Sequence, residues 1–167
     1  MRSVITVFIF LFLTGVGTTQ APSPEPVGTL AQLMRGILFP NSNLIFDVQV
    51  RDPGAPTTAE DNNSVTATFS GIYTGWQVVE NSAVALAEVA NLIVVPGRLC
   101  ENGRPVPVNQ PEYQQYAKDL AEAGKTAYEI AKTRDLEAMS DVTNDVAGAC
   151  ENCHFAYRKF EDRCVSE

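Results

Sequence analysis

This sequence predicts an all-α fold, an antiparallel up-down-up-down four-helix bundle, and three observations predict it. Four segments carry apolar residues at alternating three- and four-residue steps, which puts them on one face of a helix. The breaks between them are Pro- and Gly-rich or only a few residues long, as antiparallel neighbours require. No stretch shows the apolar–polar alternation of a strand, and no repeat occurs beyond the seam spacing. With 167 residues, the chain is long enough for one domain with a real core.

The chain begins Met1-Arg2, then runs almost wholly apolar over residues 4–16 and small and polar over residues 14–21. That order predicts a secretory signal peptide over residues 1–20, because the apolar run falls short of the roughly 20 residues of a spanning helix. No cysteine follows it to carry a lipid. The mature protein is therefore expected to be exported, to the periplasm in a bacterium, without stable membrane insertion. Residues 21–28 read as a flexible Pro-rich leader, and residues 29–167 as the bundle.

In the first helix Leu30, Leu33, Met34, Ile37 and Leu38 share a face that resumes at Leu44, Ile45 and Val48. Pro40 lies inside this pattern and predicts a kink or a break. Residues 51–70 read as a long, turn-rich loop. The second helix has the seam Ile72, Trp76, Val79, Ala83, Leu86, Ala90 and Ile93, ending at Pro96-Gly97. A Pro-rich linker over residues 97–110 leads to Pro111, a favoured first helical residue. The third seam is Tyr113, Tyr116, Leu120, Ala123, Ala127 and Ile130. A connection at residues 133–135 leads to the fourth, with Met139, Val142, Val146, Ala149, Cys153 and Tyr157 to one side.

The fourth helix carries the chemistry. Cys150-Glu151-Asn152-Cys153-His154 is C-x-x-C-H, the pattern of covalent c-type haem attachment. Two thiols three residues apart can each add to one vinyl group of the same porphyrin. The next residue then offers an imidazole nitrogen to the iron as proximal ligand. A structural zinc site would need four ligands, with Cys100 and Cys164 as the remaining candidates. A redox C-x-x-C normally opens a helix after a strand, where the dipole lowers a thiol pKa; this one lies deep in a helical pattern. One covalent haem c per chain is the expected cofactor. A haem-free bundle stapled by disulfides or zinc is the alternative from another class.

His154 is the single histidine of the chain, so bis-histidine ligation by this chain alone is excluded. Past the leader the methionines are Met34 and Met139. Met139 would lie about 22 Å from His154 along one helix and reads as core. Met34, one turn into the first helix, falls at the same end of an up-down-up-down bundle as His154. With Met34 bound, the iron is six-coordinate, low-spin and suited to outer-sphere electron transfer. With Met34 as an ordinary seam filler, the iron is five-coordinate behind an apolar wall of Met34, Ile37 or Leu38, open to nitric oxide or carbon monoxide. No distal histidine is there as an acid–base catalyst, so an enzyme is not expected.

Residues 150–158 fit C-x-x-C-H-x-x-Y-R, and the chain resembles the cytochrome c prime family, including its six-coordinate low-spin members. That family sets its attachment motif near the end of the fourth helix of a bundle, followed by an aromatic and a basic residue, here Tyr157 and Arg158. Its distal residue lies early in helix one, matched here by Leu33-Met34-Arg35. The resemblance covers most of residues 29–163 and is specific in the last helix. It implies that Arg158 flanks the proximal face, where a solvated surface arginine is the other reading. Tyr157 packs on the porphyrin or in the core, and Arg35 is a candidate for a propionate. Members often dimerise through helices one and two, an option the resemblance extends to this chain. The first helix lacks the frequent Arg-Gln pair, and Phe39-Pro40-Asn41-Ser42-Asn43 and the loop after Arg51 are not typical.

The formal charge is −8, from 12 basic and 20 acidic residues. Such a surface argues against nucleic acid and anionic membranes, and permits docking to a basic patch on a redox partner protein. Cys100 follows the second helix and Cys164 the fourth, ends that an antiparallel bundle brings together. In an oxidising compartment they are expected to form a disulfide, with labile thiols as the alternative.

Overall fold

The computed structural model describes residues 25–56, 73, 75–159 and 164. Among these, the architecture is four long helices and no strand beyond one isolated bridge, Leu99 with Pro105. Helix α1 spans residues 30–46 and ends in a 3₁₀ turn, Asp47–Gln49. Helix α2 is Gly75–Ile93, α3 Pro111–Thr133 and α4 Leu136–Tyr157. Helix α2 packs along α3, α3 along α4, and α1 lies on α2 with its C-terminal end against α4. This is the four-helix bundle. The signal peptide, most of the leader, Ile72 and residues 57–70 of the expected loop lie outside the described residues. No described helix is long and apolar enough to cross a membrane.

Each helix begins where its local chemistry allows. Thr29 and Gln32 form a capping box at α1: Gln32 N–H donates to Thr29 Oγ1 at 3.2 Å, and Thr29 N–H to Gln32 Oε1 at 2.8 Å. Pro111 opens α3, where its missing N–H costs nothing. Arg134 takes a left-handed turn, φ 58°, and Asp135 caps α4 by accepting from Ala138 N–H at 3.0 Å. The seams pack as the spacing predicts. Trp76, Val79, Ala83, Leu86, Ala90 and Ile93 of α2 are all buried, as are Met139, Val142, Val146, Ala149 and Tyr157 of α4. Where α2 and α3 pack, a Cβ on Gly124 would lie 2.6 Å from Ala87 N, so only glycine fits there.

Pro40 neither breaks α1 nor ends it. Residues 30–33 are α-helical, Met34–Leu38 form a π turn, and Phe39–Phe46 are α-helical again. The proline ring clashes with the carbonyl four residues back, and widening one turn relieves that clash without losing the helix. Polar side chains then serve carbonyls along this stretch. Asn41 Nδ2 donates to Ile37 O at 2.8 Å, and Asn43 Nδ2 to Phe39 O at 2.6 Å.

The linker between α2 and α3 is an ordered turn. Cys100 N–H donates to Arg104 O at 2.8 Å and Val106 N–H to Arg98 O at 2.9 Å, while Cys100, Val106 and Val108 are buried. Leu30 N–H donates to Leu99 O at 2.8 Å, tying the start of α1 to this turn. Arg98 is 4 % exposed. Its Nε donates to Leu92 O at 3.2 Å, and its Nη1 to Val27 O at 2.9 Å and Gly28 O at 3.0 Å. A buried guanidinium satisfied by carbonyls thus pins the chain just before α1 to the end of α2.

Candidate functional site

The last two turns of α4 place Cys150, Cys153, His154 and Tyr157 on or beside its buried face, because steps of three and four residues return to one side of a helix. They open onto a cleft of about 450 Å³ at one end of the bundle. Leu30, Met34, Leu38 and Phe46 of α1 line it too, together with Tyr113, Tyr116 and Leu120 of α3. Cys100 and Glu101 of the linker turn, together with Cys164, close it from below. That volume lies within the usual range for cofactor sites.

The electrostatics of the cleft follow from burial. The Cys150 thiol is pushed up by burial, and that of Cys153 to about 11 by burial and then by the charge of Cys150. Both are free thiols, held protonated near neutral pH. The imidazole of His154 is pushed down, first by burial and then by the nearby Arg158 guanidinium. It is therefore neutral near pH 7 and has a lone pair to give a metal. Tyr113, whose hydroxyl donates to Ile93 O at 3.2 Å, has its ionisation pushed up mainly by burial.

Tyr157 is buried at the back of the cleft. Its hydroxyl donates to Gln110 Oε1 at 2.8 Å, and its ring stands edge-on to Tyr113 at 5.2 Å and Tyr116 at 6.1 Å. Arg158 is exposed at the mouth, its N–H donating to His154 O at 2.9 Å. Arg35, across the mouth, pairs with Glu101 at 2.9 Å. The sulfurs of Cys100 and Cys164 lie at disulfide distance, with Cα atoms 6.6 Å apart.

Met34, Cys150, Cys153, His154, Tyr157 and Arg158 thus all line one cleft, although 116 residues separate the first pair in sequence. Met139 is fully buried away from it in the core. Ile37, expected on the distal wall with Leu38, does not line the cleft and packs against the core instead, because the π turn changes the register. Sequence reasoning took Tyr113, Tyr116 and Leu120 as seam residues alone, and it did not single out Phe46 or Glu101. Seam spacing carries no signal for the end at which a core opens. Nor does anything next to Arg98 in sequence mark it for burial.

The donor set discriminates between cofactors. Among the described residues, no group of three or more His, Cys, Asp or Glu side chains is placed to hold a metal ion. Zinc would need Cys100 and Cys164, which face each other. A reactive dithiol would need a lowered pKa, and burial near a helix C-terminus gives the opposite. Two free, protonated thiols and one neutral imidazole on the wall of a largely apolar cleft fit covalent haem.

A family model described as Cytochrome C' matches residues 106–158. The chain is also similar to a protein named Cytochrome c' from Allochromatium vinosum, 28% identical over 122 residues, covering 66% of this chain and 79% of that protein. No solved structure gives a significant match.

Proposed function

We propose that the chain is a member of the cytochrome c prime family, as its match to the family model over residues 106–158 and its similarity to a curated relative support, and that it is an exported monohaem electron carrier. Cys150 and Cys153 would hold haem c through two thioether bonds, His154 would be the proximal ligand and Met34 the distal one. The observation that carries this reading is the meeting of Met34 with Cys150, Cys153 and His154 in one cleft.

Bound haem supplies a one-electron iron couple whose potential His/Met ligation raises. The chain's own residues do the rest. Phe46, Leu38, Leu120 and the tyrosines exclude water, which disfavours the more highly charged oxidised state. The rings of Tyr113, Tyr116 and Tyr157 brace one another, so the wall they form is stiff and little reorganisation accompanies electron transfer. Arg158 holds a positive charge beside His154. Glu101, the carboxylate among the described residues lining the cleft, is paired with Arg35, and we assign it no catalytic step.

Binding of nitric oxide or carbon monoxide is the second reading, and the apolar α1 wall with Met34 only half-buried favours it. One experiment separates the two. Purified holoprotein should show covalent haem on the peptide holding Cys150 and Cys153 by mass spectrometry, and a low-spin ferric spectrum. Met34→Ala should convert that spectrum to high-spin and lower the potential. A high-spin wild type unchanged by Met34→Ala would transfer the assignment to gas binding. The absence of any haem adduct would sink both.

A further inference from the structure

The cleft-lining residues of α1 are Leu30, Met34, Leu38, Ser42 and Phe46, with Ala31, Arg35, Phe39 and Asn43 beside them. Both rows advance by four residues at every step. A regular α-helix turns about 100° per residue, so each step of four overshoots a full turn by about 40°. Over the four steps from Leu30 to Phe46 the overshoot is about 160°, which would carry Leu30 to the far side of the helix from Phe46. In this protein both face the same cleft.

The π turn accounts for the difference. Phe39 N–H donates to Met34 O, five residues back, so one extra residue is wound into a single turn. That takes back about 100° of rotation and holds five successive turns of α1 against the cleft. Its cause lies at Pro40, which has no N–H to give a carbonyl four residues back and whose ring would strike it. The two halves of the helix are unequally buried, the N-terminal one being held by the Leu30 N–H to Leu99 O bond and by its cap rather than by burial. Leu44, Ile45 and Val48, after the turn, are buried in the core, whereas no residue of 30–33 is buried. If α1 became regular, the N-terminal turns would rotate.

We infer that Pro40 is the positioning residue for the distal side: through the π turn it forces, it sets the register in which Met34 lines the cleft half-buried while the Arg35 side chain, 65% exposed, stays at its mouth beside Glu101. This inference rests on Met34 being the distal ligand. In a regular helix with its C-terminal half unmoved, residue 35 would take the place that Met34 now holds. A guanidinium there cannot ligate iron.

The test uses the haem-loaded full chain and reads the ferric spin state by absorbance and electron paramagnetic resonance. Helix content is followed by circular dichroism, and haem attachment by mass. Met34→Ala is the control, expected high-spin. Pro40→Ala is expected to be high-spin as well, with haem attached and helix content kept. Adding Arg35→Met to Pro40→Ala should restore the low-spin spectrum, as should deleting Gly36 in the Pro40→Ala chain, since a Cβ at Gly36 would meet no neighbouring atom. A low-spin Pro40→Ala protein beside a high-spin Met34→Ala protein overturns the inference and leaves Met34 as ligand. A Met34→Ala protein that stays low-spin overturns both. Loss of the low-spin signal in Pro40→Ala that neither second change restores is general damage to α1, and it too overturns the inference.

Discussion

Cys153 keeps its proton because it is buried, and the neighbouring charge of Cys150 adds to the effect; its pKa rises from the usual 9 to about 11. Its reactivity in the folded, haem-free protein should follow. Alkylation at pH 8 is expected to be roughly 100-fold slower than for a free cysteine, and to keep rising up to about pH 11. A plateau near pH 9 by mass-spectrometric kinetics would contradict the burial. The sign for stability is the reverse of the usual carboxylate case. Between pH 9 and 11 the unfolded thiol ionises while the folded one does not, so stability is lost as pH rises through that window. Tyr157 offers a second test at this scale. Tyr157→Phe removes the bond to Gln110 at a cost of about 1 kcal/mol, with the haem spectrum unchanged. Tyr157→Ala should cost roughly 3–5 kcal/mol through the cavity it leaves, measured by denaturant unfolding.

At the scale of elements, helices α2 and α3 meet backbone to backbone at Gly124, where an added Cβ would lie within 3.1 Å of Ala83 O and nearer still to Ala87. Gly124→Ala is therefore expected to destabilise by roughly 1–3 kcal/mol, although alanine is the better helix former. A stabilised variant in thermal unfolding would show that the two helices can move apart. The start of α3 and the seams were legible because helix signals and periodicity are local: Pro111 and the Trp76 seam need no distant partner. The effect of Pro40 was only half legible. A proline in a helical pattern announces a disturbance, but whether the chain breaks, kinks or widens depends on what each half packs against. Here Leu44 and Ile45 are anchored in the core, Leu30 is tied to Leu99, and a wide turn satisfies both.

The whole molecule is closed at the cleft end by contacts between segments far apart in sequence. Cys100 and Cys164 face each other across 64 residues, and Cys164 N–H donates to Tyr157 O at 2.9 Å. A crosslink over that separation stabilises by about 4 kcal/mol in the chain-entropy account. Cys100→Ser should lower the denaturation midpoint accordingly while leaving the covalent haem mass on Cys150 and Cys153 intact. A variant with haem attached elsewhere would show that the pairing also guards the correct thiols.

Four helices, their seams and the C-x-x-C-H pairing of two thiols with one imidazole follow from residues within a turn or two of each other, since helical period and thioether chemistry act over that distance. His154 being the single histidine also follows from composition, and with it the question of the opposite ligand. The answer to where that ligand would sit required packing. Met34 shares a cleft with His154 because α1 and α4 come together at one end, beside Tyr113, Tyr116 and Leu120 of α3, and in our inference because one wide turn winds the α1 face back onto it. Those are relations between surfaces far apart in sequence, Met34 and His154 by 120 residues, which no local pattern encodes.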